Sequence, residues 1–289
     1  MSSLDVKNFK MTLVKYRNYF FTILKSIIEQ NEIEEVFFWI IDHYCGISRM
    51  DYIVNPDLKL SNDQKENLMN AVSLLKTSMP IQYVLGESEF MSLKFNLNSN
   101  VLIPRPETEE LVSWVISTNP INKKILDIGT GSGCIAISLA KFIKSSNLTA
   151  WDINQEILEI ARKNAFLNEV KVLFEVQDIS SIKSNKKFDI IVSNPPYICN
   201  SEKKKINNNV LLFEPHKALF VDDNDPLFYY YKIIDFAKQN LNNNGNIFFE
   251  IAENQDHGIS ELLIKAGFHD IELRKDYRLK NRMVRASFK

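Results

Sequence analysis

The chain has 289 residues, of which 45% are hydrophobic, a length that suits one large or two modest domains. Its 35 Lys and Arg nearly balance its 36 Asp and Glu, which argues against binding to nucleic acid mainly through phosphate contacts. The three cysteines are widely spaced, so we expect no disulfides and a cytoplasmic location. Lysines interrupt the N-terminal segment and no long apolar run occurs, so we expect neither a signal peptide nor a membrane span. The spacing of the four histidines suggests no metal site.

The first eighty residues are expected to form a small all-α domain. Apolar residues recur at helical spacing in 4–30, 33–44 and 61–78. Gly46 follows the second of these segments as a helix-ending residue, and Ser61 is a good N-cap for the third. No catalytic cluster occurs there, so we interpret residues 1–80 as a domain for packing or substrate recognition.

The next segment changes to the period of an extended chain. Apolar and polar side chains alternate in residues 89–97, which predicts a β-hairpin, and we assign residues 81–106 to a hairpin linker. A short helix is expected at 108–117.

The rest of the chain, residues 107–289, alternates strands with helices. Strands are expected at 125–128, 148–151, 172–176, 189–192, 246–251, 269–273 and 283–288, with helices at 135–143, 155–168, 227–241 and 260–266. This alternation predicts an α/β domain with a seven-stranded, mainly parallel sheet covered by helices. Ligands of such sheets bind beyond the carboxyl ends of the strands.

A glycine-rich loop follows the first of these strands, at Gly129, Thr130, Gly131, Ser132 and Gly133. Three of the eight glycines of the chain lie in these five positions, where they allow a tight turn and a close approach of backbone to ligand. The G-x-G-x-G spacing differs from the G-x-G-x-x-G order of dinucleotide loops, and no Gly-Lys-Ser/Thr of a phosphate loop is present.

An acidic residue, Asp152, ends the second strand, about twenty residues after the loop. Its carboxylate can accept hydrogen bonds from both ribose hydroxyls of a nucleoside. The loop and this acid together resemble the class I S-adenosylmethionine-dependent methyltransferases. Asp178 follows the next strand, where that family often contacts adenine, although the same side chain can instead cap the following turn.

The segment Asn194-Pro195-Pro196-Tyr197 follows the fourth strand. The two prolines fix the backbone and hold Asn194 extended at the strand end. The Asn194 side-chain carbonyl and the Pro195 backbone carbonyl can then accept both hydrogens of a planar NH2 group, with Tyr197 packed against the flat group. Amide and conjugated amino nitrogens are poor nucleophiles, so we expect this orientation of the NH2 group to supply most of the acceleration of the reaction.

This tetrapeptide resembles the Asn/Asp-Pro-Pro-Tyr motif of amino-methyltransferases that act on adenine, cytosine N4 or protein glutamine. It defines the nitrogen chemistry better than the substrate. An adenine N6-methyltransferase of nucleic acid therefore stays open as an alternative, although it would need a basic recognition region. A non-catalytic, cofactor-binding accessory protein of translation is the other alternative.

Further motifs separate these substrates. Residues 80–86 (Pro-Ile-Gln-Tyr-Val-Leu-Gly), 103–109 (Ile-Pro-Arg-Pro-Glu-Thr-Glu) and 213–215 (Phe-Glu-Pro) occur in this order around the loop and the tetrapeptide. Together they resemble the release factor glutamine methyltransferases, the HemK/PrmC family, from about residue 46 to the C-terminus. The resemblance implies a helical N-terminal domain, a hairpin linker and a Rossmann-like catalytic domain.

The resemblance also implies the chemistry. S-adenosyl-L-methionine would be the cofactor, and the substrate would be the glutamine of the Gly-Gly-Gln loop of class 1 peptide chain release factors, with no stable nucleic acid or membrane partner. The cofactor residues carried over are Gly129 to Gly133, Asp152, Asp178 and Asn194, and Asn194, Pro195, Pro196 and Tyr197 would form the glutamine site. Ile179 stands where some members have Trp, so a cofactor contact there would be apolar. Arg105 is expected to pair with a carboxylate and hold the linker, with ligand orientation as the alternative.

Overall fold

The computed structural model describes residues 11–182 and 184–289. Its α-helices are α1 Leu13–Leu24, α2 Ile33–Cys45, α3 Arg49–Val54, α4 Asn62–Leu75, α5 Ile81–Leu85, α6 Pro106–Ser117, α7 Cys134–Phe142, α8 Gln155–Leu167, α9 Asn208–Phe213, α10 His216–Leu219, α11 Phe228–Asn240 and α12 Asp256–Lys265. Its strands are β1 Glu87–Phe90, β2 Leu93–Asn96, β3 Lys124–Ile128, β4 Asn147–Asp152, β5 Leu173–Val176, β6 Phe188–Ser193, β7 Ile198–Cys199, β8 Phe220–Val221, β9 Leu241–Glu250, β10 Phe268–Lys275 and β11 Asn281–Phe288. A 3-10 helix spans Asn200–Lys205.

The chain divides into two compact units. The first runs to Gly86 and also includes α9, and the second contains Glu87–Asn207 and Glu214–Lys289. The three-part division predicted at residues 80 and 106 stays a prediction.

The first unit is helical, as predicted. Its apolar core comes mainly from α1, α2 and α4, and the hydroxyl of Tyr16 donates to the carbonyl of Leu68 at 3.1 Å. Gly46 ends α2 with a left-handed φ of 65°, and Ser61 caps α4, both as the sequence predicts. The prediction that the first helix continues to residue 30 is wrong, because α1 ends at Leu24 and Ile27 is exposed to solvent. Residues 4–10 of that predicted helix lie outside the described residues.

The second unit is built on a seven-stranded sheet with the order β10-β11-β9-β6-β3-β4-β5. The five strands from β9 to β5 in this order are parallel, and β11 pairs antiparallel with both β9 and β10. This confirms the predicted Rossmann-like, mainly parallel sheet. The chain proceeds from β3 outward to β5 and then returns to place β6 on the other side of β3, so β3 and β6 form the switch point at which such sheets bind ligands.

Two apolar cores cover the faces of this sheet. Side chains of α6, α7 and α8 pack on one face and those of α11 and α12 on the other. Successive strand residues alternate between the cores: Ile190 and Val192 contribute to the first, and Ile191 to the second. The near-continuous apolar runs of the sequence follow from burial on both faces.

The predicted hairpin is formed by β1 and β2, which pair antiparallel. A buried side chain of α8, Asn164, connects it to the glycine-rich loop. The Asn164 side-chain oxygen accepts from the amide of Asn96 at 2.7 Å, and its nitrogen donates to the carbonyls of Asn96 at 3.1 Å and Ser132 at 2.9 Å. Asn164 thus fastens the hairpin directly to the glycine-rich loop.

Several elements differ from the prediction. β9 begins at Leu241, five residues before the predicted start, because Leu241 pairs with Phe188 across a register shift in the sheet. Between residues 198 and 221 the structure contains β7, the 3-10 helix, α9, α10 and β8, which the sequence did not predict. These elements are short and partly exposed, so they carry no clear apolar period.

Candidate active site

The glycine-rich loop connects β3 to α7 at the carboxyl edge of the sheet. Gly129, Gly131 and Gly133 all have left-handed φ angles, of 73°, 56° and 85°. A Cβ on Gly129 or Gly131 would meet no atom within 4 Å, whereas one on Gly133 would lie 2.7 Å from Cδ1 of Ile137. The first two glycines therefore border open space, as a loop that approaches a ligand requires, and the third permits close packing of α7.

Asp127, at the end of β3, lies fully buried under this loop. Its Oδ2 accepts hydrogen bonds from the Thr130 hydroxyl at 2.6 Å and the Ala136 amide at 3.2 Å. Its Oδ1 has no hydrogen-bond partner among the described residues. Burial raises the pKa of this carboxyl from 3.8 to about 7. An unpaired, buried carboxylate oxygen is an acceptor suited to a cationic group of a ligand.

Asp152 ends β4, next to the loop. Its Oδ2 accepts from the Gly131 amide at 3.1 Å and its Oδ1 from the Asn154 amide at 3.2 Å. Burial raises the pKa of Asp152, and these two backbone donors act in the opposite direction. Each carboxylate oxygen accepts one of these hydrogen bonds and retains a further lone pair, so the side chain can still accept from ligand hydroxyls.

The Asp178 side chain caps a turn after β5. Its Oδ1 accepts from the amide of Ser180 at 2.8 Å and from the hydroxyl of Ser180 at 2.7 Å. The capping role that the sequence allowed is therefore present, and the second carboxylate oxygen accepts no hydrogen bond from a described residue. Ile179 is partly buried and packs against the core that contains Trp151.

The segment Asn194-Pro195-Pro196-Tyr197 begins immediately after β6, the neighbour of β3. The Asn194 amide nitrogen donates to the hydroxyl of Thr108 at 3.2 Å. No hydrogen bond from a described residue reaches the Asn194 side-chain oxygen or the Pro195 carbonyl. Neither of the two acceptors that the sequence predicts at this strand end therefore has a hydrogen-bond donor among the described residues.

A buried carboxylate, Glu250, accepts hydrogen bonds from Tyr197 of this segment and from Thr108, the partner of Asn194. Glu250, the last residue of β9, is 1% exposed. Its Oε2 accepts from the Thr108 hydroxyl at 2.6 Å and its Oε1 from the Tyr197 hydroxyl at 3.1 Å. Burial raises the pKa of Glu250, while these two hydroxyls and the nearby Arg282 guanidinium oppose the shift. Burial and the adjacent Glu250 likewise raise the pKa of Tyr197, so its phenol stays protonated.

Tyr197 also borders a cavity of about 360 Å³. It is lined by Tyr197, Ile198, Glu202, Lys205, Ile206, Ala252, Glu253 and Asn254. The cavity mixes apolar and charged side chains.

Arg105 makes the carboxylate contact that the sequence predicted. Its guanidinium lies 2.5 Å from Oε1 of Glu214, whose side chain is 1% exposed, and the second Glu214 oxygen accepts from the Ile103 amide at 3.4 Å. This pair, in which Glu214 is buried and Arg105 is partly exposed, holds the start of α6 to the segment that precedes α10. Arg105 therefore has a structural partner within the second unit.

Sequence reasoning did not single out Thr108 and Glu250. Glu250 carried a usable signal, because it is an isolated acid at the carboxyl end of a predicted parallel strand, as Asp127 and Asp152 are. Thr108 carried none, since its partner is 142 positions away. Within the described part of the chain, no group of three or more His, Cys, Asp or Glu side chains has the arrangement of a metal site. No helix in residues 11–182 and 184–289 meets the length and hydropathy needed to cross a membrane.

Comparison with known proteins gives two family matches. The Methyltransferase small domain matches residues 107–219, and the PrmC N-terminal domain matches residues 17–86. The release factor glutamine methyltransferase of Flavobacterium psychrophilum is 47% identical over 285 residues, which cover 96% of this chain and 100% of that protein. The protein of the same name from Bacteroides thetaiotaomicron is 38% identical, over 91% of this chain and 96% of that protein.

Among solved structures, a methyltransferase from Pyrococcus furiosus superimposes with a TM-score of 0.52 and 18% identity. The match covers 78% of this chain and 98% of that structure. At this identity the likeness concerns the fold alone.

Proposed function

Because this chain belongs to the release factor glutamine methyltransferase family, we propose that it methylates the side-chain amide nitrogen (N5) of the Gly-Gly-Gln glutamine in class 1 peptide chain release factors. The observation that carries the proposal is the pair of acceptors at the end of β6, the Asn194 side-chain oxygen and the Pro195 carbonyl. Neither has a hydrogen-bond donor among the described residues. They match the two hydrogens of one amide group.

The proposed cofactor is S-adenosyl-L-methionine, whose sulfonium supplies an electrophilic methyl group. The open backbone at Gly129 and Gly131 and the unpaired Asp127 oxygen fit a cationic ligand that approaches the loop closely. Asp152 would accept from the ribose hydroxyls, and Asp178 and Ile179 would border the adenine. Thr130, Ser132 and Gly133 shape the loop, since the Thr130 carbonyl accepts from the Gly133 amide at 2.9 Å.

At the acceptor, Asn194 and Pro195 would hold both amide hydrogens and so fix the plane of the glutamine side chain. Pro196 keeps the loop rigid, and the Tyr197 ring would pack against that plane. Held in this way, the nitrogen π-density would face the methyl group in a near-attack geometry. The carbon–nitrogen bond would form as the carbon–sulfur bond to the methyl group breaks, which would leave the neutral thioether S-adenosyl-L-homocysteine, and one amide proton would pass to water.

We also propose that the helical unit recognises the protein substrate. The match of residues 17–86 to the PrmC N-terminal domain supports this role. Because the proposed substrate acts in translation, we also assign the reaction to the cytoplasm.

The test is methyl transfer from labelled cofactor to a purified class 1 release factor, followed by mass spectrometry of the loop peptide. We expect one added methyl on the Gly-Gly-Gln glutamine, and none on a factor in which that glutamine is alanine. Asn194→Ala is the catalytic control. Duplex DNA and RNA are offered as competing acceptors, and their methylation in place of the factor would favour the nucleic-acid alternative.

A further inference from the structure

We propose that Thr108 and Glu250 are positioning residues that set the polarity of the Asn194 amide, so that its carbonyl is presented to the acceptor nitrogen. The proposal rests on the proposed function, in which Asn194 is the acceptor-binding group. Neither residue belongs to the tetrapeptide, and the two lie on different elements, the first turn of α6 and the end of β9.

The three side chains form one continuous hydrogen-bonded chain. Asn194 Nδ2 donates to Thr108 Oγ1 at 3.2 Å, and Thr108 Oγ1 donates to Glu250 Oε2 at 2.6 Å. Thr108 is 3% exposed and Glu250 is 1% exposed, so water does not compete for these bonds.

The direction of these hydrogen bonds follows from the fact that the Thr108 hydroxyl has only one proton to donate. Burial opposes ionisation of Glu250, but the two hydroxyl donors and the Arg282 guanidinium favour its ionised form. An ionised carboxylate can only accept, so Glu250 takes the Thr108 proton. The Thr108 oxygen is then left only as an acceptor and selects the NH2 end of the Asn194 amide. The Asn194 carbonyl must therefore face away from Thr108, where it remains free to bind a substrate NH2 group.

Without the Glu250 carboxylate, Thr108 no longer selects the NH2 end of the Asn194 amide. A Thr108 hydroxyl with a free proton can donate to the Asn194 carbonyl, and the amide can then turn its NH2 end toward the substrate. An NH2 group facing another NH2 group makes no hydrogen bond. The same carboxylate also accepts from the Tyr197 hydroxyl at 3.1 Å, so Glu250 orients both sides of the acceptor site.

The decisive pair of variants is Thr108→Val, which removes the hydroxyl at nearly constant volume, and Thr108→Ser, which keeps it. Under saturating cofactor and release factor, we expect Thr108→Val to lower the single-turnover rate ~10–100-fold, the range that corresponds to one hydrogen bond to a charged group. Thr108→Ser should stay within about threefold of wild type by the same reasoning. Cofactor affinity should be unchanged in both variants.

A double-mutant cycle separates positioning from a general structural role. In an Asn194→Ala background the hydroxyl has no amide to orient, so Thr108→Val should cause no additional loss of rate. An unchanged rate in Thr108→Val alone, or the same fold-loss in both backgrounds, overturns the proposal. If Thr108→Val does not fold, Thr108→Ala takes its place in the same cycle with the same expected pattern.

A readout without substrate keeps this proposal distinct from the proposed function. In the free protein, the Asn194 side-chain NH2 resonance, assigned by its loss in Asn194→Ala, should move in Thr108→Val and stay in place in Thr108→Ser. A resonance that does not respond to Thr108→Val contradicts the hydrogen-bonded chain whatever the substrate. A wild-type protein that leaves the release factor unmodified contradicts the proposed function, while the NMR result still decides the positioning.

Discussion

Replacing Asp127 by Asn should stabilise the cofactor-free protein at neutral and alkaline pH. Asn keeps an oxygen that can accept from both Thr130 and Ala136, since both donors use the same atom, Oδ2. Its NH2 group replaces Oδ1, the oxygen that has no partner among the described residues. The variant therefore removes a buried charge without removing a hydrogen bond.

The size of the effect follows from the pKa of Asp127, which burial raises from 3.8 to about 7. The folded state holds this proton more tightly than the unfolded state does. The contribution of the group to stability is therefore complete below pH 3.8 and is lost as the pH rises to about 7. Over this interval the wild-type protein loses about 4 kcal/mol of unfolding free energy through this group. About 3 kcal/mol of that loss falls between about pH 5 and about pH 8.

The assay is urea unfolding at about pH 5 and about pH 8, followed by tryptophan fluorescence. Trp114 and Trp151 are both buried in the second unit and report its unfolding. The free energy of unfolding of Asp127→Asn relative to wild type should rise by about 3 kcal/mol between these pH values. Affinity for S-adenosyl-L-methionine should fall in the same variant, because an acceptor has become a donor.

Asp189→Asn is the matched control. Against the upward effect of burial, hydrogen bonds from the Lys124 amide and the Asn242 side chain hold the pKa of Asp189 below its ordinary value. Asp189 is thus ionised in both states across the tested range, and its variant should differ from wild type by a constant amount. A constant difference for Asp127→Asn as well would refute the inference that Asp127 is the titrating group.

Three further predictions concern the cofactor loop and the acceptor site. Asp152→Ala should weaken cofactor binding ~10–100-fold in calorimetry, because hydrogen bonds to charged groups contribute roughly 1.5–3 kcal/mol; an unchanged affinity in the folded variant would remove Asp152 from the ribose role. Gly131→Ala and Gly133→Ala both place alanine at positive φ, at a cost of roughly 1–2 kcal/mol each. Only Gly133→Ala also overpacks, against an atom 2.7 Å away, so it should unfold at the lower temperature, whereas Gly131→Ala should mainly weaken cofactor binding. Tyr197→Phe should retain more single-turnover activity than Tyr197→Ala if packing of the ring on the amide dominates, and equal losses would assign the effect to the hydroxyl bond with Glu250.

The sequence predicted the parts of the fold and site that depend on local pattern. The parallel strands are apolar runs with helices between them, and both the glycine-rich loop and Asn194 directly follow such strands, so their meeting at one edge could be predicted. The network around Asn194 could not be predicted, because Thr108 and Glu250 are brought together only by the order of the strands. The contact between Arg105 and a carboxylate was predicted as a class, but its partner Glu214 was not, since 109 positions separate them.

The buried amide of Asn164 has a consequence for the opening motions of the second unit. It bonds to both the amide and the carbonyl of Asn96 in the hairpin and to the Ser132 carbonyl in the glycine-rich loop. Separating the hairpin from α8 would leave these groups without partners in a buried position, so local fraying there is costly. The β2 amides should therefore exchange their hydrogens with solvent at the rate of the glycine-rich loop, as one cooperative unit. The amides of an isolated two-stranded ribbon would exchange much faster. In this protein, the exchange rate of the hairpin amides is set by the opening of the glycine-rich loop to which the hairpin is fastened.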